Sequence, residues 1–557
     1  MHALVTPQIP ASPQASNRSQ KSRGILWASA ALVCAAVTAC GGGGGAGVSG
    51  NTTNTGNTNT NTDNTSIAGS WAPQAYAKAS NAAASDSFGT SVAISDDTMV
   101  VGAPGEDSNQ TTITNGSTAS TDNSASSAGA AYVFVRSGSA WIQQAYLKAP
   151  NAGVSDNFGS SIAISGDTVV VGAPLEESNQ TTITNGSTAS TDNSASSAGA
   201  AYVFVRSGNT WSQQAYLKAP NAEALDNFGS SIAISGDTVV VGAELEASNQ
   251  TTITNGSTAS TDNSASSAGA AYVFVRSGST WSQQAYLKAS NAGGGDFFAA
   301  SIAISGDTIV VGANAEDSSQ TTITNGTAAS ADNTGTDAGA AYVFVRSGST
   351  WSQQAYLKAP NAQATDRFGT SVGISGDTIV VGAQQEDSNQ TTITNGGTAS
   401  SDNTATNAGA AYVFVRSGST WSQQAYLKAS NAELGDNFGQ SVGISGNTIV
   451  VGADGEDSAL TSVTNGNSIT INNAATDSGA AYVFTRSGTT WSQQAYLKAP
   501  NVGSNDNFGA KVGISGHTIV AGAVSESSNQ NTITNGNTAS ADNTGNNAGA
   551  AYVFSRN

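Results

Sequence analysis

The chain is poor in the side chains that carry most catalytic chemistry. Its 557 residues include two cysteines and two histidines, and only 10% of them are charged. His517 is the one histidine outside the N-terminal segment, and it stands at a turn position that holds Asp or Asn in the other copies of a repeat described below. No Gly-Lys-Ser/Thr phosphate loop is present. We therefore assign no catalytic residues and predict that the protein is not an enzyme.

Basic residues are also scarce. Nineteen Lys and Arg stand against 38 Asp and Glu, and the formal net charge is −19. No basic stripe interrupts this acidic balance, which would repel nucleic acid and anionic lipid. The composition excludes nucleic-acid binding.

The chain lacks an apolar run long enough to cross a membrane. Its nearest approach is residues 24–37, which follow the basic residues Arg18, Lys21 and Arg23. This order of charged, apolar and small residues predicts a secretory signal at residues 1–39. The ending Val-Thr-Ala-Cys resembles a bacterial lipobox, which implies that Cys40 is lipidated and becomes the mature N-terminus. Since the only other cysteine, Cys34, would be removed, the mature chain would have no disulfide.

A flexible tether is predicted between this anchor and the rest of the chain. After Cys40, residues 41–70 contain five consecutive glycines and are then mainly Asn and Thr. Thirty residues of such chain have a root-mean-square reach of about 30 Å. We expect an exported protein, anchored by lipid alone to the bacterial cell envelope, at the outer membrane or cell surface.

What the sequence does contain is a repeat with a period of 70 residues. Tryptophan marks its seven copies, at Trp71, Trp141, Trp211, Trp281, Trp351, Trp421 and Trp491. A long fixed period indicates one supersecondary unit that packs against its own copies. The fold question therefore reduces to the structure of one unit and the packing of seven.

One unit is predicted to hold four β-strands. In the third copy, residues 228–235 and 238–243 are apolar runs separated by a two-residue turn, and residues 269–276 form another apolar run. Residues 280–288 alternate apolar and polar side chains, as in an outer edge strand. Between the second and third strands, residues 244–268 are almost entirely polar and predict a long solvated loop.

Seven such units predict an all-β, seven-bladed β-propeller of four-stranded antiparallel blades. An open β-solenoid is the alternative. The repeat region begins at Trp71 with a fourth-strand sequence and stops at Asn557 after a third-strand sequence. Pairing these incomplete ends would close a ring without free edges. We therefore assign residues 71–557 to one propeller, closed by pairing of the N-terminal strand with the last blade.

Two short motifs indicate a family. Six of the seven copies have a Phe-Gly pair, and every copy then has an apolar hairpin that ends in Gly-Ala, as in Phe158-Gly159 and Gly172-Ala173. This pattern resembles the FG-GAP repeat of bacterial surface proteins and of the propeller at the head of integrin α chains. The resemblance covers residues 71–557 and implies the same seven-bladed fold. One copy departs from it, with Phe298-Ala299 in place of Phe-Gly.

Acidic residues recur in the repeat and suggest a calcium site. A Glu stands three residues after each Gly-Ala, a second acidic residue often comes next, and Asp-Asn ends the polar loop in six copies. Carboxylates and amide oxygens in loops suit Ca²⁺. The predicted ligands are Glu106, Asp107, Asp122, Glu176, Glu177, Asp192, Glu246, Asp262, Glu316, Asp317, Asp332, Glu386, Asp387, Asp402, Glu456, Asp457, Glu526 and Asp542. However, integrin-type repeats bind calcium on a loop of the form Asp-x-Asp-x-Asp-Gly, and no copy here has that spacing. The alternative is that these acids cap turns and solvate loops.

The same acids bear on function. Carboxylate pairs could in principle hydrolyse glycosides, but an active site needs one asymmetric constellation, whereas these repeat with the blades. We expect a lipid-anchored propeller that presents polar loops for recognition of, or adhesion to, a protein or glycan. A secreted carbohydrate-active enzyme and a purely structural envelope protein are the alternatives.

Overall fold

The computed structural model describes residues 69–469 and 471–557, which form seven β-sheets and contain no helix. Each sheet is one blade, and within it the strands run antiparallel in the order first, second, third, outer and fifth. The all-β, seven-bladed propeller is therefore confirmed. Each blade has one strand more than predicted, a two-residue strand at its outer rim.

Strand bounds repeat closely from blade to blade. The first strands, nearest the axis, are β2 (Ser91–Ser95), β7 (Ser161–Ser165), β12 (Ile232–Ser235), β17 (Phe298–Ser305), β22 (Phe368–Ser375), β27 (Ser441–Ser445) and β32 (Phe508–Ser515). The second strands are β3 (Thr98–Ala103), β8 (Thr168–Ala173), β13 (Thr238–Ala243), β18 (Thr308–Ala313), β23 (Thr378–Ala383), β28 (Thr448–Ala453) and β33 (Thr518–Ala523). The third strands are β5 (Ala130–Ser137), β10 (Ala200–Ser207), β15 (Ala270–Ser277), β20 (Ala340–Ser347), β25 (Ala410–Ser417), β30 (Ala480–Ser487) and β35 (Ala550–Arg556).

The remaining strands form the rim. The outer strands are β6 (Ala140–Leu147), β11 (Thr210–Leu217), β16 (Thr280–Leu287), β21 (Thr350–Leu357), β26 (Thr420–Leu427), β31 (Thr490–Leu497) and, in the seventh blade, β1 (Trp71–Ala77). The fifth strands are β4 (Thr114–Asn115), β9 (Thr184–Asn185), β14 (Thr254–Asn255), β19 (Thr324–Asn325), β24 (Thr394–Asn395), β29 (Thr464–Asn465) and β34 (Thr534–Asn535).

The core lies between neighbouring blades. Both faces of the second strands are apolar, and their residues are almost all buried. One cluster joins Val203 and Leu217 of the second blade to Val241 and Tyr272 of the third, and equivalent clusters fill the other junctions. Each blade therefore buries its apolar faces only against its neighbours, which is why the unit recurs.

Closure of the ring is confirmed. Strand β1 pairs with β35 in antiparallel register, with Trp71 opposite Arg556 and Tyr76 opposite Tyr552. The seventh blade thus combines the first described strand of the chain with the last. No sheet edge is left open at this junction.

The Phe-Gly and Gly-Ala motifs are the points where adjacent blades approach most closely. Phe158 is fully buried, with its ring 5.4 Å from that of Tyr202. Gly159 has a φ of 97°, and a Cβ added to Gly102 of the preceding blade would lie only 2.0 Å from the Gly159 carbonyl oxygen. The two glycines let backbone touch backbone across the junction. In the departing copy, Ala299 adopts the same left-handed region at a φ of 76°.

The outer strands are less exposed than their alternating pattern predicted. Tyr286 and Lys288, which lie on the polar side of the alternating pattern of residues 280–288, are both buried. The polar loop folds back over this edge, where Thr254 and Asn255 pair with Tyr286 and Ala285. The loop is therefore ordered and packs against the outer strand, whereas the sequence predicted a long solvated loop.

Candidate functional site

The polar loops are held by a buried glutamate at their base. In the first blade, Glu106 Oε2 accepts from Lys148 Nζ at 2.9 Å, and Glu106 Oε1 accepts from the Tyr146 hydroxyl at 2.8 Å. Lys148 Nζ also donates to the Gly129 carbonyl oxygen at 2.6 Å. Glu106 and Lys148 are each 1% exposed. Burial lowers the pKa of Lys148, and the Glu106 carboxylate opposes that shift.

This glutamate also ties each blade to the one before it. Asn81, which follows the outer strand of the seventh blade, donates to Glu106 Oε1 at 2.9 Å and to the Ser120 carbonyl oxygen at 2.6 Å. The Tyr132 hydroxyl in turn donates to Asn81 Oδ1. Every polar atom of this buried group thus has a partner, as a low-dielectric site requires.

All seven glutamates of the calcium prediction occupy this position. Each is 1% exposed and forms an ion pair with the lysine at the end of its blade's outer strand. They are Glu106, Glu176, Glu246, Glu316, Glu386, Glu456 and Glu526. The structure therefore gives these residues a role in packing that the sequence did not predict. The pairing lysine lies 42 residues further along the chain in six blades, too far for a local pattern to reveal it.

Most of the other predicted ligands stabilise the loop itself through contacts with its backbone. Asp107 Oδ1 accepts from the Ser127 backbone N at 2.8 Å. Asp122 Oδ2 accepts from the Asn109 backbone N at 3.0 Å, and this hydrogen bond lowers the pKa of Asp122. The same Asp contact recurs at Asp192, Asp262, Asp332, Asp402 and Asp542. Asp317, Asp387 and Asp457 repeat the Asp107 contact, while Glu177 has no such side-chain contact. Among residues 69–469 and 471–557, no three His, Cys, Asp or Glu side chains come together in a way that could hold a metal ion.

The aspartate before each Phe-Gly pair closes a turn in a buried position. Asp156 Oδ2 accepts from the Gly153 backbone N at 2.7 Å, and Asp436 Oδ2 accepts from Glu433 N at 2.9 Å. Burial raises the pKa of Asp156 to about 6 and that of Asp436 to about 8. These buried aspartates therefore cap turns.

A contact that the sequence analysis missed fastens neighbouring blades at the rim. Asn115 of the first blade accepts from the Trp211 backbone N at 2.7 Å and donates to the Trp211 carbonyl oxygen at 3.2 Å. The Trp211 indole donates to Gln144 Oε1 at 2.8 Å. The sequence did contain a pattern at this contact. Thr-Asn-Gly recurs in all seven loops, and Asn-Gly is a turn signature.

Shallow grooves separate the blades beside these contacts. One of about 290 Å³ lies between the third and fourth blades, and one of about 360 Å³ lies between the seventh and first. They use equivalent positions, which are Ile253, Lys288, Ser290 and Gln353 in one and Ile533, Lys78, Ser80 and Gln143 in the other. Hydroxyl, amide and isoleucine side chains dominate both. The arrangement offers the same hydrogen-bonding surface at more than one junction of the ring.

The comparison with known families matches this geometry. A family model described as FG-GAP repeat matches residues 71–134, 141–204, 211–274, 281–344, 351–414, 421–484 and 491–554. The chain belongs to the FG-GAP repeat family. The first FG-GAP match begins in β1 of the seventh blade and ends in β5 of the first, so the sequence repeat and the structural blade differ by one strand.

Other comparisons add little about this FG-GAP protein. No curated protein is significantly similar to it in sequence. Among solved structures, the phage phi92 endosialidase aligns with a TM-score of 0.33 and 9% identity, over 88% of this chain and 68% of that chain. Nothing about function follows from a similarity at that level.

The predicted export elements cannot be placed on this site. Residues 1–39, Cys40 and the tether up to residue 68 lie outside the described residues. In the part of the chain that the structure does describe, no helix is long and apolar enough to cross a membrane.

Proposed function

We propose that this FG-GAP propeller is a non-enzymatic recognition protein that binds a polymeric glycan through the grooves between its blades. The observation that carries the proposal is the equivalence of the two grooves, whose ten lining positions correspond one to one. A surface that recurs around a rigid ring suits a ligand that also repeats. Many weak contacts then add up, because each contact raises the effective concentration of the next.

The chemistry of the grooves favours a neutral glycan over a charged partner. Thr251, Ser352 and Gln353 line one groove and offer hydroxyl and amide groups that hydrogen-bond to sugar hydroxyls. The charged groups nearest to it are already engaged, since Lys288 forms a buried ion pair with Glu246 at 3.0 Å. The recurring acids are likewise occupied in holding loops and turns, which supports a scaffold for binding.

Binding to a polymer and to its repeating unit separates this proposal from its alternatives. The full chain is incubated with immobilised envelope glycans, with host matrix proteins as a parallel arm, and bound protein is quantified. We expect saturable retention on a glycan, and an affinity for the polymer that exceeds that for its monomer by about 100-fold or more. Release of shortened glycan would support an enzyme, and retention only on the matrix proteins would assign a protein ligand.

Graded substitution tests the multivalency. Replacing one, three and then all of the six glutamines at the positions equivalent to Gln143 and Gln353 by Ala should weaken polymer binding in steps, while the melting temperature stays near that of the parent. These residues are Gln143, Gln213, Gln283, Gln353, Gln423 and Gln493. A loss that is complete after one substitution, or absent after six, contradicts binding through repeated grooves.

The proposal includes export and lipid anchoring through Cys40. It rests on the basic and apolar segments before the lipobox-like Val-Thr-Ala-Cys. Growth with an alkyne-tagged fatty acid should label the wild-type protein and the Cys34→Ser variant, but not Cys40→Ser. Equal labelling of both variants, or none in the wild type, contradicts a lipid anchor at this residue.

A further inference from the structure

The sequence contains seven Asn-Gly dipeptides, one in the polar loop of each copy of the repeat. In this pair of residues an asparagine loses its side-chain amide readily, because glycine has no side chain to hinder attack by its own backbone nitrogen. The same asparagines fasten neighbouring blades at the rim. They are Asn115, Asn185, Asn255, Asn325, Asn395, Asn465 and Asn535. A chemically labile residue therefore lies at every junction of the ring.

The loss of the amide requires two parts of the dipeptide to meet. The glycine backbone nitrogen gives up its proton and attacks Cγ of the asparagine, and the bond from Cγ to the side-chain nitrogen breaks. That nitrogen takes up a proton and leaves as ammonia. Water then opens the succinimide ring to give aspartate or isoaspartate, so one water is consumed for each ammonia released. The first step needs a free glycine N–H and an asparagine side chain that can rotate towards it.

In the folded ring both requirements are blocked at all seven positions. Asn185 Oδ1 accepts from the Trp281 backbone N at 2.7 Å, and Asn185 Nδ2 donates to the Trp281 carbonyl oxygen at 3.2 Å. The backbone nitrogen of Gly186 donates to the Gln214 carbonyl oxygen at 2.7 Å. The other six dipeptides make the same three contacts. Each of these asparagines is exposed to water, so hydrogen bonding and not burial protects it.

The protection of two dipeptides depends on β1. Asn465 Oδ1 accepts from the Trp71 backbone N at 2.8 Å, and Asn465 Nδ2 donates to the Trp71 carbonyl oxygen at 3.1 Å. In the seventh blade, the backbone nitrogen of Gly536 donates to the Gln74 carbonyl oxygen at 2.7 Å, and β34 pairs with β1. These partners all lie in β1. Opening of that one strand therefore releases the side chain of Asn465 and the backbone at Asn535.

Strand β1 is attached to its blade differently from the other outer strands. Each of the other six is joined to the third strand of its own blade by a tight hairpin turn, as at residues 277–280. Strand β1 contacts β35 only through hydrogen bonds and side chains, because β35 lies at the other end of the described chain. A strand without the hairpin connection separates from its sheet at a lower cost in free energy. The two dipeptides that β1 protects are therefore uncovered more often than the other five.

We propose that Asn465 and Asn535 are sites of spontaneous deamidation, modified when β1 separates from the last blade, while the other five Asn-Gly dipeptides stay protected. The modification opposes closure of the ring. Aspartate at position 465 has no side-chain N–H to donate to the Trp71 carbonyl oxygen, and its carboxylate is repelled by that oxygen. Isoaspartate adds a methylene group to the backbone of a two-residue strand, which breaks its register with the outer strand. The proposal is independent of the ligand proposed for the grooves.

The seven dipeptides are controls for one another. The full chain is kept at pH 8 and physiological temperature, samples are taken over several weeks, and each is digested with trypsin. Digestion gives seven different peptides, each with one Asn-Gly, and mass spectrometry quantifies the aspartate and isoaspartate forms. The rate at each site is divided by its rate in denaturant, which corrects for the neighbouring sequence. We expect Asn465 and Asn535 to convert at least about threefold faster than any other site.

A matched pair of variants tests whether opening of β1 is the cause. Lys78→Met removes the buried ion pair at the end of β1, and Lys288→Met removes its equivalent in the continuous third blade. Lys78→Met should accelerate deamidation at the two β1-dependent sites by a further factor of about three or more. Lys288→Met should have a smaller effect, confined to Asn185 and Asn255, which contact the outer strand of the third blade. Since each variant loses one ion pair, the difference reports the missing hairpin turn.

The proposal is overturned if, in the wild-type protein, either Asn465 or Asn535 converts no faster than the other five sites. It is also overturned if Lys78→Met leaves both rates at the parent value while hydrogen exchange shows that β1 has opened. The wild-type comparison does not require any variant to fold. Binding of a glycan to the grooves has no part in either measurement, so the two proposals fail independently.

Discussion

The third and seventh blades reach the same structure from different chain segments. The third is continuous, and its Lys288 and Tyr286 contact Glu246 at 3.0 and 2.9 Å. The seventh takes its outer strand from β1, yet Lys78 and Tyr76 contact Glu526 at 2.9 and 3.0 Å. The buried ion pair is therefore as well formed between distant segments as within one hairpin. Closure of the ring relies on side-chain contacts that every blade already has.

The two blades differ at the rim. The Trp281 indole donates to Gln214 at 2.8 Å and lies 5.3 Å from the Arg276 guanidinium, whereas the Trp71 indole reaches Gln494 only at 3.4 Å. The hairpin turn that joins the third and outer strands of the third blade is replaced in the seventh by two separate segments. The composite blade therefore matches the others at its buried core and is looser at its outer end.

Deleting residues 71–79 should have the largest effect. The deletion removes the buried side chains of Trp71 and Tyr76 and leaves Glu526 charged and unpaired in the interior. Loss of one large aromatic side chain costs about 3–5 kcal/mol, so we expect the seventh blade to unfold. Hydrogen exchange should rise sharply in Ala550–Arg556. The control is a nine-residue deletion at 55–63, and an unchanged exchange rate in the main deletion would contradict closure through β1.

Replacing the lysine of the ion pair compares the two blades directly. Lys78→Met and Lys288→Met each leave a glutamate without its buried counter-charge, which costs about 3–5 kcal/mol. We expect similar losses of unfolding free energy in denaturant. In Lys78→Met alone, rapid hydrogen exchange should extend along the whole of β1, because no hairpin turn joins that strand to β35. If Lys78→Met costs much less than Lys288→Met, the closure pair is weaker than its geometry indicates.

The sequence predicted the scaffold well because the repeat period, the strand pattern and the truncated terminal units can each be read directly along the chain. The spacing of the tryptophans gave the number of blades, and the incomplete units at Trp71 and Asn557 gave the closure. The buried ion pair of Glu106 could not be predicted, because its partner Lys148 lies 42 residues further along the chain. Thr114 and Asn115 were missed as a strand because two residues show no periodicity.

The centre of the ring was overlooked for a different reason. Lys511 is a single departure from a repeat that holds serine at this position in the other six copies, and without the ring there is no reason to place it near the other blades. The fold places Lys511 on the wall of a central cavity that is lined by the first strands of all seven blades. Repetition in the sequence thus revealed the scaffold, while the exceptions became informative only in three dimensions.

The buried aspartates before Phe-Gly should make stability depend on pH. Their pKa in the folded state, about 8 for Asp436 and about 6 for Asp506, lies above the unfolded value of about 3.9. The folded protein therefore binds more protons, and this contribution is complete below pH about 4 and is lost as the pH rises through 6 to 8. Asparagine cannot ionise and keeps an acceptor for the turn. At pH 8 we expect Asp436→Asn to be more stable than the parent by about 1 kcal/mol or more.

The same substitution in the composite blade is the control for this prediction. Asp506→Asn should gain less at pH 8, because the pKa of Asp506 is raised less, and neither variant should gain at pH 4. Melting temperatures measured from pH 4 to pH 8 test both statements. A parent protein whose stability rises steadily across this range, with no relative gain in either variant, would show that these carboxylates are solvated in the folded state.

Calcium should have the smallest effect, and the same effect on both kinds of blade. Ca²⁺ takes about six to eight oxygen ligands, yet Glu246 and Glu526 already accept from buried lysines, and Asp262 and Asp542 already accept from loop backbone. Freeing either glutamate would leave a buried lysine unpaired, at a cost of several kcal/mol. We therefore expect millimolar Ca²⁺ and chelator to give the same melting temperature. A rise in that temperature with Ca²⁺, reversed by chelator, would support the calcium prediction and show that the loops rearrange to bind it.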